Sequence, residues 1–257
     1  VSHEIAETVI CVDRRMTYTA VQRVLDGDER TKEEYRDFVS MFLCMEELSG
    51  ILRKRRKKRG AIDFDFPETK VILDEKGHPL EIKAYERNTA TDIIEDFMLL
   101  ANETVAKEYH ERNLPFLYRI HGEPDEDKIE NVLSLARTGQ IKAEKKKQKI
   151  TPGEVQSILT ALEGQPLEPM ISRLLLRSMQ QARYSTADEG HFGLAARHYC
   201  HFTSPIRRYP DLQIHRIIKD VIRGRMNPQR EAAYRESLDQ VAESCSRLER
   251  RAEEAER

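Results

Sequence analysis

The run H-F-T-S-P-I-R-R-Y-P-D-L-Q-I-H-R, His201 to Arg216, places two adjacent arginines directly behind a strong helix-start signal. Ser204 is a favourable N-cap, and Pro205 suits the first helical position, where its missing N–H costs no intrahelical bond. The spacing predicts a helix opening at Pro205, with Arg207 and Arg208 on its first turn. Unpaired backbone N–H groups and the positive end of the helix dipole favour an anion there. A guanidinium holds two phosphate oxygens through its planar fork and stays charged at physiological pH, so the pair reads as a phosphate clamp. The other reading pairs the arginines with Asp211, which lies i+4 from Arg207 and i+3 from Arg208.

Around this run helix dominates. Glu7 to Val12 is β-branched and reads as a short strand continuing a sheet begun upstream. Thr17 caps a helix to about Asp26, and T-K-E-E from Thr31 is a capping box for a longer one. Tyr35, Phe38, Val39, Phe42, Met45, Leu48, Ile51 and Leu52 give that helix one apolar face, and it closes in seven consecutive cations, Arg53 to Arg59, before Gly60. Cations and glycine suit a helix C-terminus, but seven exceed what a cap needs, so contact with an RNA backbone stands beside the capping reading. Lys70 to Tyr85 reads as a hairpin turning at Lys76-Gly77. A helix from about Thr91 to Arg112 should bury Ile94, Phe97, Met98, Ala101 and Val105. Leu117 to His121 reads as a strand, Pro124 to Arg137 as a helix, and Lys142 to Lys149 as a solvated lysine-rich loop. Thr151-Pro152 starts a further helix, Ile171 to Arg183 forms another, Gly193 to Phe202 reads as a strand, and one long charged helix runs from about Pro228. The class is α+β.

A chain of 257 residues can bury a sizeable core, and its start at Val1 and its end inside a charged helical pattern suggest a piece of a longer protein. The net charge of −2 means that affinity for nucleic acid has to come from local basic clusters. No apolar stretch is long enough for a membrane span and no signal peptide is visible, which points to a soluble, cytoplasmic protein. Cys11, Cys44, Cys200 and Cys245 are too scattered for a disulfide framework or a C-x-x-C metal site.

The longer string G-H-F-G-L-A-A-R-H-Y-C-H-F-T-S-P-I-R-R-Y-P-D-L-Q-I-H-R, Gly190 to Arg216, resembles the signature of the ribonuclease II/ribonuclease R family, 3′-to-5′ exoribonucleases with an RNB catalytic domain. Within that family it is closer to the bacterial ribonuclease R pattern. The resemblance continues, in order, through Arg15 to Val21, Arg87 to Asn102, Leu117 to His121, Leu174 to Ala182 and Glu249 to Arg257. It implies a single partial RNB domain over residues 1–257 that acts on single-stranded RNA 3′ ends, processively and as a monomer, releasing 5′-monophosphates with Mg2+.

The resemblance also implies roles. Arg207 would contact the scissile phosphate as the catalytic arginine, and Arg208 a neighbouring phosphate unless it pairs with Asp211. Tyr18 would stack on the 3′-terminal base, which suits an enzyme that accepts every base because each offers a π-face. The bland reading of Tyr18 is a core residue of its helix. Tyr118 stands where relatives often carry phenylalanine as the other jaw of the clamp, and Glu256 resembles an acidic residue near the family's active site. By the resemblance the Mg2+ ligands would precede Val1, and the chain by itself is then expected to be inactive; Asp63 and Asp65 lie between a helix and a hairpin and make a poor cluster. His191, His198, His201 and His215 lack a recognised ligand spacing and read instead as hydrogen-bonding residues, His201 and His215 holding the turn and helix, in one reading through Asp211. Rival readings are a non-catalytic single-stranded RNA-binding module and a helical interaction protein with solvated basic faces.

Overall fold

Thr17 opens helix α1 (Tyr18–Leu25) by accepting the Ala20 N–H on its hydroxyl at 3.2 Å, as its sequence position predicts. The computed structural model describes residues 2–62, 69–84, 87–138 and 149–256. They fall into two compact units, one of Val12–Arg55 with Asp63–Phe97, the other of Val1–Cys11 with Arg56–Ile62 and Met98–Arg257.

In the first unit the helix expected from Thr31 is two helices. Asp28 is the cap of α2 (Glu29–Glu34), and its carboxylate accepts both the Thr31 N–H, at 2.8 Å, and the Thr31 hydroxyl. An anionic cap three residues upstream outcompetes Thr31 because it also meets the positive end of the dipole. Tyr35, at φ −113°, breaks the run, and α3 (Arg36–Arg59) starts anew. Its buried face is Phe42, Ser49 and Leu52, while Leu48 and Ile51 are exposed. The start of α4 (Thr89–Glu111) shows the same rotation: Ala90, Ile93 and Asp96 are buried, and Ile94 and Met98 face outward. Polar residues inside the seam cause it. The Ser49 hydroxyl donates to Asp96 at 2.5 Å, and Arg53 donates to Asp92 at 2.5 Å and to Asp96 at 3.4 Å. Strands β1 (Thr69–Leu73) and β2 (Pro79–Ala84) form the expected antiparallel hairpin, and Gly77 takes the positive φ of +83° that its turn requires.

In the second unit α3 ends as its basic run predicts. Gly60, at φ +93°, donates its N–H to the Arg56 carbonyl at 3.1 Å. Of the seven cations, Arg53 is engaged by Asp92 and Arg59 by Glu103 through two bonds of 2.7 Å, whereas Lys54, Arg55, Lys57 and Lys58 are exposed. The chain continues through β3 (Tyr118–Ile120), α5 (Glu126–Thr138), α6 (Pro152–Leu162), α7 (Glu168–Ser178), β4 (Arg183–Ser185), α8 (Tyr209–Ile222) and α9 (Pro228–Glu256). β3 and β4 pair antiparallel, α9 packs along β4 and α8, and α7 packs on α5 and α6. Tyr109, Phe116, Ile120, Ile214, Ile217 and Leu238 lie in the core beneath.

Four expectations change in this unit. Glu7 to Val12 forms no strand; Glu7 holds Arg223 at 2.5 and 2.7 Å, and Val9, Ile10 and Val12 are exposed, with no neighbouring strand among the described residues to satisfy the backbone. Helix α7 stops at Ser178 rather than Arg183, because Arg183 to Ser185 pair with β3. Gly193 to Phe202 is irregular chain with isolated bridges. The helix of the arginine run begins at Tyr209 rather than Pro205. Residues 142–148 of the lysine-rich stretch, and Asp63 and Asp65, lie outside the described residues. The fold is α+β as expected, and among the described residues no helix is long and apolar enough to cross a membrane.

Candidate functional site

The arginine site is built on a turn. The Ser204 carbonyl accepts the N–H groups of Arg207 and Arg208 at 3.2 and 3.1 Å, and Arg208 then takes the extended N-cap conformation of α8, with Pro210 in the first turn. Pro210 fits that first turn, where its missing N–H has no intrahelical bond to lose. Arg207 therefore stands on the turn in front of the helix, exposed, next to Ile206, which is 99% exposed. Arg208 folds back and donates to Asp211 at 2.7 Å. Asp211 is fully buried and also accepts the Ser204 N–H at 2.8 Å, so one carboxylate closes the turn onto the helix. The ion-pair reading thus holds for Arg208, while Arg207 makes no ion pair with Asp211.

The chain entering the turn is fixed from several sides. Asn102 on α4 accepts the Phe202 N–H at 2.9 Å and donates to the Tyr199 hydroxyl at 3.2 Å. His215 on α8 stacks on Phe202 with ring centres 4.4 Å apart and bonds the Phe202 carbonyl at 2.9 Å. His201 meets the Tyr184 hydroxyl at 2.9 Å rather than Asp211. Both histidines hold the motif as the sequence suggests, through partners that the sequence could not name. Farther upstream, His121 accepts the Gly193 N–H on Nδ1 at 3.0 Å, which leaves Nε2–H to donate to the Gln180 carbonyl at 2.6 Å. A side chain at Gly193 would meet His121 Nδ1 at 3.1 Å, a tight contact that would press on the imidazole.

Burial, followed by the nearby charges of Arg208, Arg119, His191 and Arg207, holds the His201 imidazole down to about 2. Burial also brings His191 down to about 3, with His121 and Arg119 adding to it. Arg119 is a contributor that motif reading missed. It lies over the Tyr184 ring at 4.7 Å and donates to Glu249 of α9 at 2.6 Å. Its position inside L-Y-R-I-H was the available signal.

The other candidates lie on other elements. Tyr18, the first residue of α1, is 47% exposed at the wall of an apolar cavity of about 500 Å³ that Val21, Phe42, Met45 and Ile93 also line. It is a surface aromatic rather than a core one. Tyr118 on β3 is buried against Phe116 and beside His110, and burial raises its phenol well above the usual range. With His110 and Asp188 it lines a cavity of about 450 Å³. Glu256 sits on the exposed last turn of α9. Magnesium takes oxygen ligands, and among the described residues the group of three ligating side chains that converges is His110, Asp188 and His198, with two nitrogens. That group does not fit magnesium.

The RNB domain family profile matches residues 1–224. Ribonuclease R 1 of Lactococcus lactis is 44% identical over 100% of this chain and 32% of its own length, and Ribonuclease R of Aquifex aeolicus is 42% identical over 99% and 36%. A solved structure of Mycoplasma genitalium RNase R in complex with ribose methylated single-stranded RNA superposes with a TM-score of 0.80 at 29% identity, covering 90% of this chain and 36% of that one. Yeast Ssd1, a pseudonuclease, has a TM-score of 0.65 at 20% identity over 90% of this chain and 27% of its own, and so shares the fold. The chain spans about a third of the length of the curated relatives named here. Signature, fold and profile agree over most of its length: this chain belongs to the RNB domain family.

Proposed function

We propose that this chain is the RNA-gripping part of a 3′-to-5′ exoribonuclease of the ribonuclease R kind, acting processively on single-stranded ends and releasing 5′-monophosphates. In this reading Arg207 takes the scissile phosphate, Arg208 orders the turn that presents it, and Tyr18 stacks on the terminal base. Tyr118 and Glu256 flank the path of the strand. The observation that carries the reading is the exposed Arg207 on a turn locked by the Arg208–Asp211 pair. A preorganised guanidinium aimed at developing phosphate charge is what phosphodiester hydrolysis asks of a side chain. Relatives captured with single-stranded and double-stranded RNA support RNA as the ligand class.

Fluorescence anisotropy with a labelled single-stranded oligoribonucleotide tests this directly. The chain should bind weakly, binding should fall steeply with salt as phosphate counterions are released, and Arg207→Ala should weaken it. Equal binding by the parent and Arg207→Ala would remove the arginine turn from the RNA path.

A second reading is a non-catalytic single-stranded RNA-binding module. Magnesium-dependent release of monophosphates, abolished by Arg207→Ala, would decide against it.

A further inference from the structure

His110 on α4, Asp188 and His198 converge away from the arginine turn. Asp188 Oδ2 lies 2.5 Å from His198 Nδ1 and 3.1 Å from His110 Nδ1, and the two imidazole centres are 4.4 Å apart. One potential ligand atom from each residue falls within 4.8 Å of the others. The side chain of Asp188 is only 4% exposed, and its second oxygen, Oδ1, is buried with no hydrogen-bond partner. A buried carboxylate oxygen without a partner is costly, and two imidazoles turned to one carboxylate supply more than a structural hydrogen bond needs.

We propose that His110, Asp188 and His198 form a binding site for a borderline transition-metal ion of the zinc class, distinct from any magnesium site of RNA hydrolysis. Two nitrogens and one carboxylate oxygen are a common zinc donor set, and bonds of about 2.0–2.2 Å put tetrahedral ligand atoms about 3–3.5 Å apart. The three residues reach that spacing by small side-chain rotations. On binding, each neutral imidazole presents its Nδ1 lone pair and carries its proton on Nε2, and the carboxylate exchanges two hydrogen bonds for one metal bond. The fourth position has room for water, because His110 and Asp188 line the cavity of about 450 Å³ with Thr186 and Asp239. The ion would tie α4 to the irregular chain that leads through His198 to the arginine turn. It is a staple on the segment whose strand character failed to form. No pair of these three residues lies in a familiar sequence spacing, so only folding brings them together.

The test is cobalt titration of the metal-stripped 257-residue chain, followed by zinc competition. One tightly bound cobalt per chain with the strong visible absorption of tetrahedral coordination, displaced by zinc, is expected. His198→Ala and His110→Ala should each weaken binding by at least about 10–100-fold, the loss typical even of outer partners of a metal site. His110 is half exposed, so His110→Ala should keep the fold, which circular dichroism verifies. Zinc should raise the unfolding temperature of the parent and leave that of His110→Ala unchanged. Failure to retain cobalt through desalting, octahedral spectra, or undiminished binding by His110→Ala overturns the proposal. None of these outcomes bears on Arg207 or RNA binding.

Discussion

Arg208 donates to the fully buried Asp211 at 2.7 Å, and this pair separates the roles of two arginines adjacent in sequence. Asp211 also takes the Ser204 N–H, so the contact ties together both ends of the turn that carries Arg207.

Removing the pair should be expensive. Arg208→Ala leaves a buried carboxylate uncompensated and should cost about 3–5 kcal/mol, whereas Arg207→Ala, at an exposed turn position, should stay within about 0.5 kcal/mol of the parent. Urea denaturation of the two variants measures this, and equal losses would contradict the division of labour.

In a protein that contains this domain and hydrolyses RNA, Arg207→Lys should keep charge but lose the fork. Turnover should fall about 10²–10³-fold, the effect of removing one transition-state donor, while RNA affinity changes little. Single-turnover kinetics on a short RNA resolves the two terms. Turnover within about threefold of the parent would remove Arg207 from the chemistry.

Tyr18→Ala should spare stability, since the ring is half exposed, and weaken the hold on the last nucleotides by about 1–3 kcal/mol per stacked base. The end product should lengthen on a denaturing gel. An unchanged ladder would leave Tyr18 outside the RNA path.

Asn102→Leu orphans the Phe202 N–H and the Tyr199 hydroxyl, at about 1–3 kcal/mol for each group left buried without a partner. Because Phe202 leads into the arginine turn, RNA affinity should drop with it, and denaturation together with anisotropy reads both.

Acid should destabilise this chain through His201 and His191. Both are held neutral in the folded state, at about 2 and about 3, against an ordinary value of 6.5. The unfolded chain therefore binds more protons below about pH 6.5, and stability falls as pH drops from there until the folded imidazoles themselves ionise. The limiting slope is about 1.4 kcal/mol per pH unit for each histidine. His201→Gln should flatten the stability profile between about pH 6 and pH 4, and an identical profile would show that His201 does not contribute.

Local signals that need only neighbours along the chain were legible in the sequence. The Thr17 cap, the Thr151-Pro152 start of α6, the Gly60 stop of α3 and the turn at Gly77 all appear where the residues announce them. The motif strings also carried the family. Register around each helix was not legible where the seam is polar. Ser49, Asp96 and Asn102 are buried because partners on other elements satisfy them, and hydrophobic periodicity counts such residues as outward-facing.

The sequence by itself determined most of the helices, the β1–β2 hairpin and the membership in the RNB family, because caps, turns and motif spacing act over a few residues. Tertiary structure alone decided that Arg208 is committed to Asp211 while Arg207 faces outward, that Tyr118 is buried and Tyr18 is not, and that His110, Asp188 and His198 meet. Those outcomes depend on which buried charge finds which partner across the fold. Desolvation makes that choice: the chain offers Asp211 to either arginine within one turn, and the neighbours that bury Tyr118 or gather His110, Asp188 and His198 lie on other elements.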